Sequence, residues 1–170
     1  MQKYFSTRKL CFVALFTAMN VLSCSFSIPV PGGHLYLCDA VICFAAIILD
    51  PFSAFIVGGV GAFLGDLIFY PAPMFVSLLT HGLQAVVISL IVGKKSEEPL
   101  LWRTIVAVLV GAVVMNVGYF LGRSYVYSTM EYAVIKIPYE ILQALLGAVV
   151  AVILIFFSPI KNLLKSIPKQ

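Results

Sequence analysis

Leu35-Tyr36-Leu37-Cys38-Asp39-Ala40-Val41-Ile42-Cys43-Phe44-Ala45-Ala46-Ile47-Ile48-Leu49, closed by Asp50-Pro51, is the stretch on which the fold turns. It is as apolar as a membrane span, yet as a helix it reaches only ~22 Å against a bilayer core of ~30 Å. Five longer apolar runs accompany it, at 10–28, 52–70, 74–92, 100–122 and 137–157. Whether the short run crosses the membrane decides on which side every later loop lies.

The basic residues settle the question. With six crossings and the N-terminus inside, Lys3, Arg8, Lys9, Lys94, Lys95, Arg103, Lys161, Lys165 and Lys169 are cytoplasmic, nine of the eleven Lys and Arg. Only Arg123 and Lys136 are then external. Without the short crossing the split becomes five against six, and the positive-inside bias vanishes. The sequence therefore predicts an all-α membrane protein: a six-transmembrane-helix bundle with both termini cytoplasmic, filling residues 1–170 as a single integral membrane domain.

Composition leads the same way. Apolar residues make up 62% and charged residues only 11%, against about 25% charged in a soluble domain. The net charge of +4 is spread in short clusters between apolar runs, which is topology and not a nucleic-acid patch. Cys11, Cys24, Cys38 and Cys43 show no CxxC spacing and read as small packing residues. The basic N-terminus resembles a secretory signal, but its apolar run is longer than a signal core and five more segments follow. It reads as the first permanent helix.

The external connections are then 29–36, carrying Pro29, Pro31, Gly32, Gly33 and His34, a tight Tyr70-Pro71-Ala72-Pro73 turn, and a tyrosine- and serine-rich loop at 123–136. The charged internal loop 94–99 reads as a solvated connector.

Polar side chains inside a bilayer cost free energy and normally face a protein interior or a cavity. Here they concentrate in the outer half. Ser77, His81 and Gln84 follow i, i+4, i+7 on one helix face; Asn116, Tyr119 and Arg123 follow i, i+3, i+7; Lys136, Glu140 and Gln143 follow i, i+4, i+7. Asp66 lies near the outer end of the third helix. Three stripes at one depth predict a cavity open to the outside, with His81, Gln84, Asn116, Tyr119, Arg123, Glu140, Gln143 and Asp66 as candidate substrate contacts. Each has a plainer reading: Arg123 and Lys136 snorkelling to the interface, Asp39 capping the second helix, Asp66 pairing with His81 or Arg123, and the tyrosines forming an aromatic belt. In the inner half, Ala14 and Ala18 form an AxxxA pair, and Gly58, Gly59, Gly61 and Gly65 line the third helix. Such small residues let helices approach closely, the glycines within the bundle.

No GxxxxGK[ST], HExxH, GxSxG or Cys/His ligand cluster occurs. The chain is expected to be no enzyme, with no metal or cofactor and no energy source of its own. Nor does so short a chain show the inverted repeats of a secondary transporter.

Six helices in this length, the AxxxA pair, the run Pro31-Gly32-Gly33-His34-Leu35-Tyr36-Leu37-Cys38-Asp39-Ala40 and the run Gly58-Gly59-Val60-Gly61-Ala62-Phe63-Leu64-Gly65-Asp66-Leu67 together resemble an S component of an energy-coupling factor (ECF) importer. The glycine-rich run is similar to that of the hydroxymethylpyrimidine/pyridoxine-type group. The resemblance implies a bacterial plasma-membrane protein that binds a vitamin or precursor from outside. It further implies docking through Ala14 and Ala18 onto a transmembrane coupling (T) subunit that carries two cytoplasmic ATPases. Residues 30–37 would be a lid, which adds His34 to the candidate contacts. Hydroxymethylpyrimidine, a pyridoxine-like compound or pantothenate is the expected substrate, since the single tryptophan, Trp102, sits at the inner edge and leaves no evident aromatic sandwich for a flavin. Two rivals are a non-transporting six-helix protein of cell-wall elongation and a self-sufficient small permease.

Overall fold

The computed structural model describes residues 7–93 and 99–158. Lys3, Lys94, Lys95, Lys161, Lys165 and Lys169, six of the cytoplasmic charges, lie outside the described residues. Among the described residues there are six helices: α1 Thr7–Ser25, α2 Cys38–Ile48, α3 Pro51–Phe69, α4 Met74–Val92, α5 Leu101–Tyr127 and α6 Met130–Phe156. All but α2 are long and apolar enough to cross a membrane. Their outward faces carry Leu15, Phe52, Leu83, Leu109 and Val149, all exposed. Lipid is the solvent such a surface requires.

The short α2 is the central element. Eight of its eleven residues are buried, among them Ile42, Ala45 and Ala46 with no exposed surface. A helix that is apolar all round belongs in a core. Polar groups close its inner end, where the Ser89 hydroxyl donates to the Leu49 carbonyl at 2.7 Å. Around it, α6 packs on α2 and α5, α4 on α5, and α3 between α1 and α4. The glycines of α3 set two of these approaches. A Cβ on Gly58 would stand 2.7 Å from the His81 carbonyl oxygen of α4, and one on Gly65 would stand 2.6 Å from the Cys24 sulfur of α1.

Three boundaries differ from the sequence reading. The first helix spans Thr7–Ser25 and not 10–28, because Ser27–Val30 (β1) pairs antiparallel with Gly33–Tyr36 (β2) in register Val30↔Gly33. Pro31 and Gly32 make the two-residue turn, with Gly32 at φ 82°, where a Cβ would be strained. The second helix accordingly begins at Cys38 and not at residue 35. The tyrosine-rich loop placed at 123–136 is largely helical: α5 continues through a wide π turn, Arg123–Tyr127, and α6 starts at Met130 and not at residue 137. Pro138 lies within α6 on an exposed position of its outer third.

At the inner end, Lys9 of α1 pairs with Asp50 at 2.7 Å in the turn between α2 and α3, and Asp50 caps α3 by accepting from the Ser53 amide at 3.3 Å. Partial burial works against the charged form, but Lys9 and the Ser53 donors outweigh it and hold the Asp50 carboxyl below its usual range. Because the folded-state value is the lower one, the pair stabilises the fold above the ordinary aspartate pKa of ~3.9, and that stability is lost as pH falls through the lowered value. Melting of the detergent-solubilised protein should therefore steepen toward low pH, and Asp50→Asn should flatten that acid limb. Superimposable acid limbs would remove Asp50 as the cause.

Candidate functional site

At the outer end the hairpin, α3, α5 and α6 enclose a cavity. The hairpin contributes Gly32, Gly33, His34 and Tyr36; α3 contributes Asp66 and the α3–α4 turn Tyr70 and Pro73; α5 contributes Met115, Tyr119, Arg123 and Tyr127; α6 contributes Lys136, Glu140 and Gln143. One ion pair and one hydrogen bond from a charged donor build its wall. Arg123 donates through Nη1 to Glu140 Oε1, joining α5 to α6, and its guanidinium carbon stands 5.6 Å from the centre of the Tyr127 ring. Lys136 donates through Nζ to the carbonyl oxygen of His34, joining α6 to the hairpin. Burial, reinforced by the nearby Asp66 charge, pushes the Tyr36 hydroxyl pKa upward, so it remains a proton donor at neutral pH.

Beneath the cavity runs a continuous polar chain. The backbone amide of Tyr36 donates to Gln143 Oε1 at 2.9 Å, and Gln143 Nε2 donates to Asp39 Oδ2 at 2.6 Å. The other Asp39 oxygen accepts from Gln84 Nε2 at 2.9 Å, while Gln84 Oε1 meets His81 Nδ1 at 2.7 Å. The His81 ring lies edge-on to Tyr119 at 5.3 Å, and the Tyr119 hydroxyl shares a hydrogen bond with Ser77 at 2.6 Å. Asp39 thus ties three helices together, its own α2 with α4 and α6. It makes no cap bond to its own helix.

Across residues 4–161 the chain matches the family model described as ECF-type riboflavin transporter, S component. The chain belongs to the ECF transporter S components. A Pyrococcus woesei protein, described as an uncharacterized protein in gap 3'region, is 30% identical over 136 residues, 78% of this chain and 88% of that one. The solved structure of the S component of a bacterial ECF transporter superposes with a TM-score of 0.72 at 18% identity, over 92% of this chain and 97% of that one. The second likeness shows the fold. The matching model is of the riboflavin type, where the glycine-rich helix had pointed to the hydroxymethylpyrimidine/pyridoxine group. S components are multi-pass membrane proteins that bind substrate without catalysing a reaction.

In this S component, six of the sequence-derived candidates stand on the cavity wall: His34, Asp66, Tyr119, Arg123, Glu140 and Gln143. Three do not. His81 and Gln84 share a face, as their spacing requires, but that face points at Asp39 and forms the chain below the floor. Asn116 turns back along its own helix to the Ala112 carbonyl at 2.8 Å, so the i, i+3, i+7 stripe breaks at its first member. The wall also holds Tyr36, Tyr70 and Tyr127, read from sequence as lid or interfacial belt. Lys136 stands there too, and it is buried and not snorkelling. The absence of a Cys/His cluster also needs correcting, since the fold brings ligand atoms of Cys38, Asp39 and His81 within 4.8 Å of one another. Both Asp39 oxygens and His81 Nδ1 already have amide partners, and the group reads as part of the polar chain.

Lys136 and Gln143 together fasten the hairpin to α6. Hydrogen bonds to charged donors contribute about 1.5–3 kcal/mol, so Lys136→Met is expected to speed ligand release by about tenfold or more. Stopped-flow release at the wild-type rate would show that the hairpin is held by something else.

Proposed function

We propose that this S component captures a riboflavin-like vitamin from outside the cell and delivers it through a transmembrane coupling subunit carrying two ATPases. The observation that carries the reading is an outward polar cavity roofed by a hairpin, in a chain matched almost end to end by the riboflavin-type family model. A flavin needs flat apolar contact for its ring and polar contact for its hydroxylated chain. Tyr36, Tyr70, Tyr119 and Tyr127 offer the aromatic surface that the single tryptophan does not, with Met115 among them. Arg123, Lys136, Glu140 and Gln143 lie along the α6 side for the polar part. Hydroxymethylpyrimidine, pyridoxine and pantothenate are the competing ligands.

Riboflavin fluorescence makes the test direct. Titrating the purified protein into riboflavin should quench the dye to a stoichiometric end point, and deleting the coupling subunits should abolish uptake in cells. Displacement of no flavin but tight binding of one competitor would transfer the assignment to that compound. Uptake that survives without the coupling subunits would mean that this S component transports on its own, and binding of none of these compounds would remove the vitamin-capture reading.

A further inference from the structure

Two of the four cysteines stand at the two feet of the hairpin. Cys24 lies in the last turn of α1, just ahead of β1, and Cys38 opens α2, just after β2. The ladder between them ends at Ser27↔Tyr36. Paired antiparallel strands run about 4.5–5.5 Å apart at Cα, a span that a disulfide also bridges. The side chains meet accordingly, the Cys38 thiol sharing a hydrogen bond with Cys24. Both are free thiols and nearly covered, at 3% and 2% exposed. Cys43 lies deeper in α2 against Gln84 Nε2, at 3.9 Å, and Cys11 near the inner end of α1.

The hairpin is fastened unevenly. Its bonds to α6 leave from β2, at the His34 carbonyl and the Tyr36 amide. Along β1, Ser27, Ile28 and Pro29 are exposed, and this strand is held by its pairing with β2 and its junction with α1. A covalent link between the two feet would secure the looser strand.

We infer that Cys24 and Cys38 form a disulfide at the outer surface and so staple the base of the hairpin. Thiols on that side of the membrane face an oxidising environment, unlike those of the cytosol. The step is thiol–disulfide exchange with an external disulfide, R–S–S–R. One cysteine thiolate attacks it and expels RS⁻; the second thiolate then attacks the mixed disulfide and expels the other RS⁻. Two cysteine S–H bonds give way to one S–S bond, two electrons pass to the external disulfide, and the two protons leave with its thiols. Both sulfurs are covered by the closed fold, so exchange takes place with the hairpin lifted. The finished bond is then shielded from reductant.

The full chain in detergent, treated with oxidised glutathione or with dithiothreitol, tests this without any ligand. Chymotrypsin cuts between the two cysteines, at Phe26 and Tyr36. After alkylation and digestion, the oxidised sample should yield the Cys24 and Cys38 peptides joined, and the reduced sample both alkylated. The oxidised form should melt about 5 °C or more above the reduced one. Cys24→Ala or Cys38→Ala should abolish both the link and that difference. Separately alkylated Cys24 and Cys38 after oxidation, or either one joined to Cys11 or Cys43, overturn the inference. So does a joined pair whose melting point and amide exchange over residues 27–36 equal those of the reduced protein. The wild type is compared with itself, so the outcome holds even where a cysteine variant does not fold.

Discussion

Carrying Ala14→Trp and Ala18→Trp together, the protein is expected to bind its vitamin as tightly as the wild type and to import none of it. Both alanines are exposed on α1, on the side bearing Leu10, Leu15 and Leu22, while Val13, Phe16 and Asn20 face the bundle. The ligand cavity includes no residue of α1. Two alanines one turn apart leave a shallow groove along which a partner helix can approach closely, and in lipid such contact is a main source of helix association. An indole ring at each position fills the groove but remains at home against lipid, so folding should be spared. Equilibrium binding in detergent, uptake in cells and co-purification with the coupling subunit give three separate readouts. Normal uptake, or a parallel loss of binding, would dissociate these alanines from docking.

Gly147→Ala should unfold or severely loosen the bundle, although alanine is the better helix former by about 0.8–1.0 kcal/mol. A Cβ at Gly147 would lie 2.5 Å from the Asp39 Cβ, 2.8 Å from its carbonyl carbon and 3.0 Å from the Ala40 nitrogen. Two of these are backbone atoms of α2, which cannot swing aside as a side chain does. Overpacking costs about 1–3 kcal/mol, and moving Asp39 also strains its bonds to Gln84 and Gln143, each of the charged kind at about 1.5–3 kcal/mol. These losses exceed the propensity gain several-fold. Melting of the purified variant and its yield in detergent are the measurements, and a melting point equal to the wild type's would defeat the argument.

Much of this architecture could be read in the sequence because lipid imposes simple rules. The asymmetry of Lys and Arg counted α2 among six helices even though it is too short to announce itself by length. Charge distribution reports topology without needing local structure. What hydropathy could not show was where a helix yields to another apolar conformation. Ser27–Val30 continues the apolar character of α1, and only its pairing with Gly33–Tyr36 makes it a strand. The opposite error came at residues 123–136, whose polarity looked like a loop but whose backbone stays helical to Tyr127 and resumes at Met130.

The site was legible to the same degree and for a similar reason. Helical spacing correctly put Ser77, His81 and Gln84 on one face, but spacing says nothing of what that face meets. It meets Asp39, a residue whose position at a helix start suggested a cap. Recognising the floor network required knowing that α2 and α6 touch at Gly147, a long-range contact that no local pattern encodes. The tyrosines were visible, yet an interfacial belt and a cavity wall have the same composition.

One turn of α3 bears on how such a site diversifies. Ile56–Val60 forms a wide π turn, and the Asn20 side chain of α1 donates to the Val57 carbonyl at 2.7 Å, capturing an oxygen in the widened segment. An ordinary helix rotates about 100° per residue, and a π turn spreads nearly the same rotation over one residue more, so the half of α3 that presents Asp66 keeps its phase relative to the half packed on α4. Loss of a single codon there would restore regular winding and leave Asp66 on the wall, whereas the same loss in a regular turn would swing it away by about 100°. The wide turn is thus a place where a lineage of such bundles could gain or lose one residue without changing what it accepts.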